Sequence, residues 1–157
     1  MTDTKRTFLV VSDDSDECRS ALVFAGMRAR AVSAHLKVLR CAQVPGAGGW
    51  IGLDQEITQD ALDSARLAGS KHVDYVEQRT GLRPELIVRQ DEPRDAIRAV
   101  IAEDPSIKLL ILASGEGRRG PGPLVSRLGK GKPLADRPIA VTVVPGGLSD
   151  DQLNEIG

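Results

Sequence analysis

Short apolar runs alternate with amphipathic stretches along this chain. Phe8 to Val11 is the first run, and Ser12-Asp13-Asp14-Ser15 ends it. Apolar runs bounded by turn residues read as buried parallel strands. Cys18, Ala21, Leu22, Ala25, Ala29 and Val32 then recur at three- and four-residue spacing, the stripe of an amphipathic helix. Ser15 is its expected N-cap, with Asp16 and Glu17 in the first turn, where the helix dipole favours acids. Leu36 to Cys41 reads as a second strand, made less clean by Lys37 and Arg40. Val44 to Gly52, with Pro45 and four residues of Gly and Ala before Trp50, reads as a mobile loop, and Trp50 is expected to pack on the surface.

Asp54 to about Thr80 carries a long helical stripe through Ala61, Ala65, His72 and Val76, and Gly81 is placed to end it. Pro84 to Val88 is a third strand. Asp91-Glu92-Pro93 opens a helix with Pro93 at its first position, where a missing N–H does no harm. Ala96, Ile97, Val100 and Ile101 form its apolar face. Ile107 to Ala113 and Ile139 to Val144 are strands four and five, with a short helix around Leu124 to Leu128 between them. The tail, Gly146 to Gly157, spaces Leu148, Leu153 and Ile156 as a short helix.

This alternation predicts an α/β fold, a three-layer sandwich around a five-stranded, mainly parallel sheet with right-handed crossovers. Ligands of such sheets sit beyond the C-terminal strand ends, where strand order reverses. Those ends are Ser12-Asp13, Arg40-Cys41-Ala42 and Ser114-Gly115.

Composition narrows the functional classes. The chain has 157 residues, so one domain over 1–157 is expected, with residues 1–7 as a flexible N-terminus and 146–157 as an acidic tail. A net charge of −1 and 3% aromatic residues argue against a nucleic-acid surface. No segment approaches the ~20 apolar residues of a membrane span. The polar N-terminus has no apolar signal core, and two cysteines make no disulfide framework, so a cytoplasmic protein is expected. His72 reads as a packed residue, because no second His or Cys stands at ligand spacing.

After strand four comes Gly115, Gly117, Gly120 and Gly122, with Arg118 and Arg119 among them. A glycine loop between strand and helix can bring amide N–H groups to an anion, where the helix N-terminus adds partial positive charge. The glycines can equally serve only to turn the chain. Neither histidine stands at an evident strand end, and no Ser–His–Asp grouping is visible, so no enzymatic activity is expected.

Three stretches carry a resemblance. Val10 to Leu22 (V-V-S-D-D-S-D-E-C-R-S-A-L), Asp91 to Ile97 (D-E-P-R-D-A-I), and L-L-I-L-A-S-G-E-G with the later P-L-V-S and P-I-A-V-T-V-V-P are similar to the universal stress protein family. The resemblance covers essentially the whole chain. It implies a single domain of that type, Rossmann-like in the adenine nucleotide alpha hydrolase-like sense, with a site for ATP or AMP and with Mg2+ accompanying ATP.

By that resemblance Asp13 would accept from the adenine amino group or the ribose, and Val11 and Cys41 would wall the base. Ser114, Gly115 and Gly117 would face ribose and phosphates, and Ser126 would donate its hydroxyl to a phosphate. The family's loop reads Gly, two residues, Gly, nine residues, Gly, then Ser or Thr. Here Ser114 and Val125 stand at the first and third glycines, Gly117 at the second and Ser126 at the hydroxyl. The stretch between is shorter than the family's. Arg118 and Arg119 would add mobile counter-charges.

The family also implies a homodimer through the last strand, Ile139 to Val144, with Val141 and Val143 near the axis. The alternative is a dimeric protein-interaction module of the same fold that binds no nucleotide. A phosphoacceptor receiver domain would place Mg2+ on Asp13-Asp14, but it needs an Asp ending strand three, and that strand ends near Val88-Arg89-Gln90.

Overall fold

In the computed structural model the strands are β1 (Thr7–Ser12), β2 (His35–Cys41), β3 (Glu85–Arg89), β4 (Ile107–Ser114) and β5 (Ala140–Pro145). The helices are α1 (Cys18–Ala31), α2 (Asp54–Thr80), α3 (Pro93–Glu103), α4 (Pro123–Gly129) and α5 (Asp150–Ile156). The structure describes residues 5–43, 54–117 and 120–157. The loop expected at Val44 to Gly52, Trp50 within it, and Arg118 and Arg119 lie outside the described residues.

All strand pairs are parallel, in the order β3-β2-β1-β4-β5. One hydrophobic cluster joins Phe8 and Val10 of β1 to α1, α2 and Leu153 of α5. The other joins Leu9 and Val11 to α3, Leu110 and Leu112 of β4, and Leu124, Val125 and Leu128 of α4. Successive β1 side chains thus point to opposite layers, and every β1 residue is buried. Among the described residues no helix is long and apolar enough to cross a membrane.

Local chemistry accounts for three of the helix ends. Gly81 takes φ +78° just past α2, and its N–H donates to the Glu77 carbonyl. Pro93 occupies the first turn of α3. Ser149 and Gln152 form a capping box at α5.

The short helix expected in the acidic tail forms as α5, with Leu153 buried against the α1 layer. Two features differ from the sequence reading. Thr7, placed in the flexible N-terminus for its polarity, opens β1 instead, because its hydroxyl finds Ser106 Oγ at 2.8 Å. Ser15 does not cap α1; Glu17 is the N-cap, without a side-chain bond. Ser15 is drawn instead to Asp13, whose Oδ1 accepts from the Ser15 N–H at 2.8 Å and from its hydroxyl.

Candidate functional site

Because the sheet is parallel, Ser12, Cys41, Ser114 and Pro145 all lie at one edge. Strand order turns back between β1 and β4, so the crevice of a doubly wound sheet opens there. The β1–α1 turn forms one wall. Asp13 is exposed, and its Oδ1 is held by Ser15 in an Asx turn. Its backbone N–H reaches Cys18 Sγ at 3.4 Å, and Cys18 Sγ reaches the Val11 carbonyl at 3.7 Å. Burial pushes the Cys18 thiol up to about 12, so it stays protonated as a packing hub. Cys41 is half-buried, and burial pushes its thiol to about 11. Val11 is buried in the α3-side cluster.

The opposite wall is the loop after β4. The Gly115 N–H donates to the Pro121 carbonyl at 3.2 Å, and Gly120 N–H to the Gly117 carbonyl at 3.1 Å. A Cβ at Gly115 would lie 2.7 Å from the Gly120 carbonyl oxygen, so only glycine permits this closure. Ser114 Oγ donates within the loop to the Gly115 carbonyl at 3.4 Å, and the Ser114 carbonyl accepts from Gly146 at 3.0 Å. Val125 lies inside α4 and packs on the core. The left-handed turn that a third glycine would supply occurs earlier, at Gly122, with φ +101°. Ser126 is half-buried on the same helix.

A cluster that sequence reading passed over lies under the β1–α1 turn. Ser12 Oγ stands 2.6 Å from His72 Nδ1, and Arg40 Nη1 donates to Ser12 Oγ at 3.4 Å. Arg40 also pairs with Asp14. Arg40 is 7% exposed and Ser12 2%. The distance is that of a nucleophile and its base. Yet Ser12 is closed to any substrate, and a guanidinium already occupies its oxygen, so the arrangement is a brace. Burial first, then Arg40 and Arg19, hold His72 below the usual histidine range. Arg40, an arginine inside a predicted strand, was the available signal, since a buried cation needs partners.

A hollow of about 410 Å3 lies elsewhere, between α1, α2 and the β5–α5 turn. Asp16, Glu17, Glu116 and Asp150 line it against a single cation, Arg19, and none of the expected site residues does. Its charge suits no polyphosphate, so the crevice is the better candidate. Among the described residues no group of three His, Cys, Asp or Glu is arranged to hold a metal.

The sequence profile of the universal stress protein family matches residues 5–127. The chain belongs to the universal stress protein family. No curated protein matches it in sequence. Solved universal stress proteins share its fold. UspA from Lactobacillus plantarum is 20% identical with a TM-score of 0.70, covering 88% of this chain and 97% of that one. A universal stress protein solved in complex with cAMP is 17% identical, with a TM-score of 0.63 over 90% of this chain and 98% of its own. The Archaeoglobus fulgidus universal stress protein in complex with dAMP is 22% identical, with a TM-score of 0.52 over 87% and 96%.

Proposed function

We propose that this universal stress protein is a cytoplasmic stress-response protein that binds an adenine nucleotide, AMP or ATP, in the crevice between β1 and β4 and does not turn it over. The observation that carries the reading is Asp13. It stands at the central strand end with one carboxylate oxygen fixed by Ser15. The other oxygen, Oδ2, is left to accept from an adenine amino or ribose hydroxyl group. Val11, two residues back on β1, and Cys41, at the end of the neighbouring β2, would wall the base.

Gly117 takes φ +79° with open space where a Cβ would stand, which suits close approach by ribose or phosphate. Ser126 would supply a hydroxyl to a phosphate. Relatives of the same fold are described in complex with cAMP and dAMP. Mg2+ would arrive on the phosphates of ATP. Mass spectrometry of the denatured, freshly purified protein tests the reading, followed by calorimetric titration with AMP and ATP. Absence of both co-purified nucleotide and heat of binding would refute it.

A second reading, a protein-interaction module without nucleotide, is favoured by one observation. The Gly115 amide is spent inside its own loop, so fewer donors face a phosphate. In either reading the protein would dimerise through β5. That strand lies at the sheet edge, and Val143 is 40% exposed. An unpaired, uncharged edge invites a second copy.

A further inference from the structure

We propose that the Arg40–Ser12–His72 chain is an acid-released latch, tying helix α2 to the ends of β1 and β2 while His72 is neutral and letting go when His72 takes up a proton. This goes beyond nucleotide binding and does not depend on it.

The direction of the chain follows from its donors. Arginine only donates, so Ser12 Oγ accepts from Arg40. The single Ser12 O–H is then available to His72 Nδ1, 2.6 Å away. Among the described residues Ser12 Oγ meets only Arg40 and Nδ1, so a donating Nδ1 would leave the buried Ser12 O–H without an acceptor; the arrangement that satisfies every group leaves Nδ1 bare and puts the ring proton on Nε2. A proton added at Nδ1 reverses this. The ring could only donate, and the Ser12 O–H would have to find another acceptor in a site where Ser12 is buried.

Charge acts in the same sense. Arg40 of β2 and Arg19 of α1 oppose a cation at His72. Asp13 and Asp14 of the β1–α1 turn favour one, but both are exposed and Asp14 is already paired with Arg40. β3 meets α2 through the apolar Leu86 at Gly69, and the residues one turn from His72 on α2 are uncharged. Burial adds to the two arginines.

The sign is fixed. A histidine whose folded value lies below its unfolded one binds protons better in the unfolded chain. The latch's stabilisation is complete above the ordinary histidine value of about 6.5. It is lost progressively as pH falls from there through the lowered folded value.

NMR titration of the His72 imidazole Cε1–H signal in the ligand-free protein tests the latch. His72 should half-titrate below the ordinary histidine value of about 6.5, and amide signals at the end of β1 and around residue 72 should move with the His72 midpoint. Ser12→Ala removes the donor to Nδ1 and should raise that midpoint. His72→Gln should flatten the fall in melting temperature between pH 7 and pH 5. A His72 midpoint at or above about 6.5, or one indifferent to Ser12→Ala, overturns the proposal. The parent titration decides the matter even if a variant does not fold.

Discussion

Gly26 is a point of close α1–α2 packing, and Gly26→Ala probes it. A Cβ there would lie 2.7 Å from Val76 Cγ1, 2.8 Å from Thr80 Oγ1 and 2.9 Å from Thr80 Cγ2. Ordinary carbon contacts sit at about 3.5–4.0 Å. Neither neighbour can step aside easily. Val76 is fully buried. The Thr80 hydroxyl donates to the Val76 carbonyl at 2.7 Å and accepts from the Leu82 N–H at 3.3 Å, and its carbonyl accepts from Arg30 at 2.6 Å.

Two effects compete at Gly26. Alanine gains about 1 kcal/mol over glycine as a helix former. Forced overpacking costs about 1–3 kcal/mol. With three contacts inside 3.0 Å on anchored partners, the upper end applies, leaving a net loss of about 2 kcal/mol. For a chain of this size that lowers the melting temperature by roughly 4–8 °C. Differential scanning calorimetry of Gly26→Ala reads it, with Gly129→Ala as control, since a Cβ at Gly129 meets nothing within 4 Å. Adding Val76→Ala should cost less in the Gly26→Ala background than in the parent. A Gly26→Ala protein as stable as the parent, or more so, would refute the close-packing argument.

Further outcomes are expected elsewhere. Asp13→Ala should weaken AMP binding at least tenfold, about 1.4 kcal/mol, in calorimetry without unfolding the protein. Asp13→Asn keeps an acceptor for Ser15, so it separates turn geometry from base recognition. Val143→Asp should sediment as a monomer if β5 is the dimer strand; an unchanged dimer would exclude that interface. Leu153, 2% exposed, fastens α5 to the α1 layer, and Leu153→Ala should cost about 2–5 kcal/mol in urea melts. With thiols near 12 and 11, Cys18 and Cys41 carry roughly one thiolate in ten thousand and one in a thousand at pH 8. Iodoacetamide should therefore leave the native protein nearly untouched, with Cys41 the first to react.

Strands β1, β4 and β5 were legible because each is an apolar run closed by Asp, Gly or Pro, and β2 was less so because Lys37 and Arg40 interrupt it. The boundaries of α2 were legible from its stripe and from Gly81. Thr7 was not, because its burial depends on Ser106, a partner 99 residues away. Ser15 misled because two acceptor side chains stood in one turn and the reading assigned only one of them. Val125 looked like a missing glycine on alignment, yet the backbone places the left-handed turn at Gly122 and leaves Val125 to the core. Arg40 hinted at a buried partner, but that its hydrogen-bond chain ends on His72 was not legible, for a simpler reason. Periodicity marks a residue as inward-facing but does not say which strand end it meets 60 positions away.

The crevice has one firm bank and one soft one. Asp13 hangs directly from β1, whose six residues are all buried between two layers. Ser126 rides on α4, a seven-residue helix with no buried residue. Local opening is cheapest where little apolar surface is covered. Amides of Val10 and Val11 should therefore exchange with solvent deuterium only through global unfolding, while those of α4 exchange at a free energy well short of it. A molecule lodged there would be gripped at one end by the slowest-exchanging backbone in the protein and at the other by some of the fastest. Protection that ligand adds to α4 alone would then report how much of the phosphate end is held.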